Sequence, residues 1–126
     1  MEHEYFAVMS LRLFDVLPEY ETQILSTGDF VKPERANKRR ESAGNTRQYY
    51  EGNASQRFSG DDGGAIETCI GELLDIAERN KDLFQELNQS GAVIELYITY
   101  LSKNHMSINQ NLVRRAAECK LQIGID

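Results

Sequence analysis

The chain reads as a single α+β domain: a mainly antiparallel sheet with helices packed mostly on one face, in the order β-α-(β-β)-α-β-α-β. Three observations lead there. Two stretches, residues 4–14 and 92–101, alternate apolar and polar residues with the period of a half-buried strand. Between them Ile66, Ile70, Leu73, Leu74 and Ala77 recur at helical spacing. Finally, 126 residues of which 40% are hydrophobic suffice for one core and leave little room for a second.

Each element has its own signal. In the first strand Tyr5, Ala7, Met9, Leu11 and Leu13 fall on one face and Ser10 and Arg12 on the other. Pro18 suits the first turn of a short helix reaching Ser26, with Tyr20, Ile24 and Leu25 expected inward and Gly28 as its stop. Residues 29–64 carry the weakest pattern. Two short strands are expected at 46–50 and 55–59, and the segment at about 32–48 reads as a basic, poorly patterned loop, mobile across 37–47. The helix over 65–79 follows, with Asp62 or its neighbours as cap, then a further helical segment with Leu83, Phe84 and Leu87 that ends at Gln89-Ser90-Gly91. In the strand over 92–101, Ala92, Ile94, Leu96, Ile98 and Tyr100 share one face while Glu95 and Thr99 take the other. That is the pattern of an antiparallel sheet covered on one side. Asn109 can cap a last helix through about Cys119, with Leu112, Val113, Ala116 and Ala117 inward, and Leu121, Ile123 and Ile125 alternate as a closing strand.

Several of these words occur together in one known family. The alternating strand Tyr5–Phe14 precedes a short helix, then Phe30-Val31-Lys32-Pro33-Glu34-Arg35 running into basic residues through Arg40. The middle helix, the strand from Gly91 to Leu101, Ser107-Ile108-Asn109-Gln110-Asn111-Leu112 and Leu121-Gln122-Ile123-Gly124-Ile125-Asp126 follow in order. In this the chain resembles the bacterial domain-of-unknown-function family numbered 4279. The resemblance spans nearly the whole chain and implies an α+β fold without an established activity. The tryptophan often found after the family's basic stretch is absent; Tyr49, Tyr50 or Phe58 stands in its region. Cys119-Lys120 stands where the family has a glycine after the last helix.

Composition narrows the function classes. The two cysteines, Cys69 and Cys119, lie far apart and form no C-x-x-C pair, which argues against a disulfide framework or zinc site and fits a reducing cytoplasm. Cys69 reads as a core thiol and Cys119, at a helix end, as the more exposed one. The N-terminal residues lack the pattern of a signal peptide. The most apolar run is about half the length of a membrane span, so no membrane association is expected. Two glycosylation-like triplets, at Asn53 and Asn88, read as chance matches.

No catalytic motif emerges. His3 and His105 belong to no metal-binding or nucleophile pattern, so neither catalytic nor metal residues are assigned and no cofactor is expected. The Gly60-Asp61-Asp62-Gly63-Gly64 turn lacks the lysine of a phosphate loop and reads as a hinge. Glu67, Glu72, Asp75 and Glu78 read as a solvated helix face.

Charge supplies the one positive clue. The net charge is −6, which disfavours nucleic acid. Yet residues 32–48 hold six basic and two acidic side chains, so this run is +4 and the rest of the chain −10. Arg35, Lys38, Arg39, Arg40 and Arg47, with Tyr49 and Tyr50 after them, are the candidate binding residues. The leading expectation is a non-enzymatic protein-interaction module of the immunity or antitoxin kind, which masks a partner. The alternative is a small anionic-ligand or regulatory domain in which Arg35, Arg39 or Arg47 holds an anion against Tyr49 or Tyr50. A hydrolase using His105 is a distant third. An exposed sheet edge leaves a homodimer open.

Overall fold

A computed structural model describes residues 5–59, 63–100 and 108–125. Five strands, β1 (Tyr5–Val16), β2 (Phe30–Val31), β3 (Gln48–Ser59), β4 (Val93–Tyr100) and β5 (Gln122–Ile125), form one sheet in the order β2-β3-β1-β4-β5. The helices are α1 (Glu21–Ser26), α2 (Glu34–Ser42), α3 (Gly63–Arg79), α4 (Lys81–Gln89) and α5 (Gln110–Glu118), with a 3-10 turn at Pro18–Tyr20 ahead of α1. β1 is central and antiparallel to both neighbours, β2 is antiparallel to β3, and only β5 runs parallel to its partner, β4. The fold is thus the expected α+β class with a mainly antiparallel sheet.

Alternation decides which face is buried. Met9, Leu11 and Leu13 pair in register with Ile98, Leu96 and Ile94, and all six are at most 1% exposed. Tyr50 opposes Leu13 on the same face. Ile70, Leu73, Leu74 and Ala77 of α3 and Leu83, Phe84 and Leu87 of α4 close over these side chains in one continuous core. Burying each large aliphatic side chain contributes on the order of 1.5–3 kcal/mol, so this single layer of contacts dominates the stability. Asn109 caps α5 as expected, its Oδ1 accepting from the Asn111 amide at 2.7 Å.

The structure corrects several local expectations. Residues 34–42, expected within a loop, form the helix α2. The two short strands expected at 46–50 and 55–59 are one strand, β3, irregular in its register against β1 between Ser10 and Arg12. Gly52 lies in that stretch because a Cβ there would come within 3.3 Å of the Leu11 carbonyl. Leu25 and Val113, expected inward, are exposed, as is Ala117. Cys119 is buried and Cys69 only half-buried, the reverse of the expected order. The chain turns back after Cys119 at Lys120, whose φ of 60° is left-handed. His3, His105, Asp61 and Asp62 lie outside the described residues.

Candidate functional site

α2 is a polar helix: Ala36 is its one apolar side chain among Glu34–Ser42, so it has no apolar stripe with which to dock. It is fixed instead by two polar anchors. The first is Asn37, 7% exposed. Its Nδ2 donates to the Tyr49 carbonyl at 2.9 Å and to the Pro33 carbonyl at 2.7 Å, and its Oδ1 accepts from the Tyr49 amide at 2.9 Å. The second is Arg40, whose Nη2 donates to Asp15 Oδ1 at 2.6 Å and whose Nε donates to the Arg47 carbonyl at 3.2 Å.

Asp15 stands at the end of β1 with φ 59°, a left-handed conformation that aspartate tolerates better than most residues. Its carboxylate holds Arg40, and its backbone carbonyl accepts from Arg47 Nη1 at 3.0 Å. The same Nη1 donates to the Ser90 carbonyl at 3.1 Å. Arg47 thus ties β1 to the turn before β4. Gly91 (φ 100°) makes that approach achievable, since a Cβ there would sit 3.0 Å from Arg47 Nη1.

The seven candidate binding residues therefore divide into three groups. Arg40 and Arg47 are bonded within the fold. Tyr49 and Tyr50 point to opposite faces of the sheet: Tyr50 is fully buried in the core with its hydroxyl donating to Gln48 Oε1 at 2.6 Å, and Tyr49 stacks on Phe14 with ring centroids 4.9 Å apart. Burial raises the pKa of both phenols; the neighbouring Glu21 carboxylate adds to this for Tyr50 and the Glu51 carboxylate for Tyr49. Neither tyrosine can present its ring to an anion held at Arg35 or Arg39 on the outer side of α2. The remaining group, Arg35, Lys38 and Arg39, is exposed.

These three lie at i, i+3 and i+4, on one side of α2, with the buried Asn37 opposite. None of them makes an ion pair among the described residues, in contrast with Lys32, which pairs with Glu21. The result is a short cationic row on a helix whose inner side is locked to the sheet.

A second feature lies on the face of the sheet away from the core, where the sequence shows only a polar face. Arg12 stacks on Tyr97, its Cζ 3.7 Å from the ring centroid. Glu51 and Glu95 oppose it in register on either side, and Tyr49 donates to Glu51 Oε1 at 2.9 Å. The acidic face of α3 is also partly engaged: Asp75 and Glu78 both accept from Arg115 of α5, which raises the arginine pKa. Among the described residues no group of three or more His, Cys, Asp or Glu side chains could hold a metal, and no helix is long and apolar enough to cross a membrane.

No protein-family model, curated protein or solved structure matches the chain.

Proposed function

We propose that the protein is a non-enzymatic interaction module that captures an acidic protein surface through α2. The observation that carries this reading is the row of Arg35, Lys38 and Arg39, three exposed cations unpaired among the described residues, on a helix pinned from behind by Asn37 and Arg40. A pinned helix loses little further backbone freedom on binding, so more of the electrostatic attraction appears as affinity. The acidic remainder of the chain adds selectivity, because a partner must meet the row without facing the surrounding carboxylates.

Masking of a partner, in the manner of immunity proteins and antitoxins, is the biological role this arrangement would serve. The resemblance to family 4279 belongs to the same proposal and contributes a fold rather than an activity. The test is capture of a partner from the native lysate at low salt by the wild-type chain and by a variant with the row reversed in charge. Loss of the captured protein in the variant supports the reading; equal capture removes α2 from the interface.

A further inference from the structure

The geometry points to a second interaction surface, independent of the cationic row: the outer face of the sheet binds the same face of a second copy of this chain across a two-fold axis. The buried apolar side chains of α1, α3, α4 and α5 all meet in the one core on the inner face. The outer face carries half-buried Val8, Phe14 and Val93, with Tyr49 and Tyr97. A row of charges crosses it on neighbouring strands: Glu51 on β3, Arg12 on β1 and Glu95 on β4, continued in register by Gln122 on β5.

Charges set side by side in this way usually pair, and here they do not. Arg12 makes no hydrogen bond or ion pair among the described residues; its guanidinium lies over Tyr97, and its buried Nε has no acceptor. Glu95 is likewise without a pair among the described residues, and its carboxylate lies over Gly124, where a Cβ would sit 2.7 Å from Oε2. Glu51 accepts from Tyr49. Half-buried polar groups without partners call for partners from outside the chain.

Self-complementarity identifies that partner. With the axis parallel to the strands and midway between β1 and β4, Arg12 faces the partner's Glu95 and Glu95 faces the partner's Arg12. The same operation sets Glu51 against the partner's Gln122 and Phe14 against the partner's Val93, so no like charges meet. An axis on β1 or on β4 would set Arg12 or Glu95 against itself. One between β3 and β1 would set Glu95 against the apolar Val31 and offer Arg12 the carboxylate that Tyr49 already holds. The chosen axis gives aligned sheet-on-sheet packing, offset only by strand twist. Four strands spaced about 4.8 Å apart, over about seven residues, present roughly 450 Å² of flat area per copy. Side-chain relief adds to this, so two copies reach the roughly 1,000 Å² that a specific interface needs.

Sedimentation equilibrium of the full chain at low salt tests this, the expected species having twice the 14.4 kDa chain mass. Arg12→Glu and Glu95→Arg each create like-charge contacts at both reciprocal pairs and should weaken the dimer about a hundredfold, with a native circular dichroism spectrum. Mixed in equal amounts, these two variants should associate again, because each supplies the charge that the other lacks. Glu95→Gln, nearly isosteric, should weaken the dimer about tenfold and keeps the test decisive if a reversal does not fold. Arg35→Glu/Arg39→Glu should dimerise as the wild type does, which separates this surface from α2. The proposal is overturned if the wild type stays monomeric at every concentration, if the changes at Arg12 and Glu95 leave the dimer intact, if the mixture stays monomeric, or if the α2 variant abolishes the dimer.

Discussion

The side-chain amide of Asn37 makes with the backbone of Tyr49 the two hydrogen bonds that a paired strand residue would make, one to the N–H and one to the C=O, both at 2.9 Å. β2 pairs with β3 only at Gly52 and Glu51, and Tyr49 is the next residue along β3 whose N–H and C=O face that edge. Asn37 therefore takes over where the two-residue strand stops, and α2 rides on the edge of the sheet as a result.

Replacing Asn37 by Ala should leave the amide and carbonyl of Tyr49 without partners at a buried position. A loss of about 2–4 kcal/mol is expected from two unsatisfied groups, measured by urea unfolding. Amide exchange at Tyr49 should accelerate by more than the global loss of stability accounts for, since the helix detaches locally. Asn37→Asp keeps the acceptor for the Tyr49 N–H but sets a carboxylate against the carbonyl, and should also destabilise at neutral pH.

Asp29, in the turn between α1 and β2, predicts an acid limb in the stability profile. Its carboxylate accepts from Arg79 at 2.7 Å and from Asn80 Nδ2 at 2.9 Å, and chiefly the Arg79 hydrogen bond holds its pKa below the ordinary aspartate value. A depressed carboxyl pKa contributes stability that is present above the unfolded value and is lost as pH falls through the folded one. Stability attributable to Asp29 should thus be intact at pH 5 and above, by the ordinary aspartate pKa of about 3.9, and decline below it. Asp29→Asn should flatten that part of the curve and cost about 1 kcal/mol at neutral pH, consistent with a largely solvated arginine partner.

The two thiols should separate kinetically. Cys119 is 2% exposed, and burial, aided by the Glu78 carboxylate, raises its pKa; burial, aided by Glu72, raises that of the half-buried Cys69. Both effects lower the thiolate fraction. Under native conditions a disulfide reagent such as dithionitrobenzoate should modify Cys69 slowly and Cys119 only as the protein unfolds. Equal rapid labelling of both would contradict the packing of α5 against β5.

The sheet and its apolar helix were legible in the sequence because burial on one face imposes a period: Met9-Leu11-Leu13 and Ile94-Leu96-Ile98 show it for strands, Ile70-Leu73-Leu74-Ala77 for a helix. α2 was not legible, because it docks through Asn37 and Arg40 rather than through an apolar stripe. β3 looks like two pieces in the sequence because Gly52 and the polar residues beside it break the alternation. That interruption reflects the close approach of Leu11 rather than a loop. On α5 the inward reading of Val113 and Ala117 failed because a nine-residue helix at the rim of the domain buries Ala116 and half-buries Leu112 but leaves the next positions to solvent.

The basic run was visible as charge, but its division was not. Arg40 and Arg47 differ from Arg35 and Arg39 only in what Asp15 and the Ser90 carbonyl offer them across 25 to 43 residues of chain. Such long-range partners leave no local pattern. The one available hint was that an aspartate at the end of a strand tolerates the left-handed turn that aims its carboxylate and carbonyl at the arginines.

On this proposal, position on α2, and not net charge, should govern partner capture. The direct measurement compares three tagged baits in native lysate at low salt: wild type, Arg35→Glu/Arg39→Glu, and Lys81→Glu/Arg114→Glu, the last pair exposed on α4 and α5. Both double variants change the net charge equally, and each should unfold within about 0.5 kcal/mol of wild type because all four side chains are exposed. One near-stoichiometric acidic protein is expected on the wild-type and Lys81/Arg114 baits, lost from the Arg35/Arg39 bait and eluted by high salt. Equal capture by both variants, or equal loss from both, would contradict it.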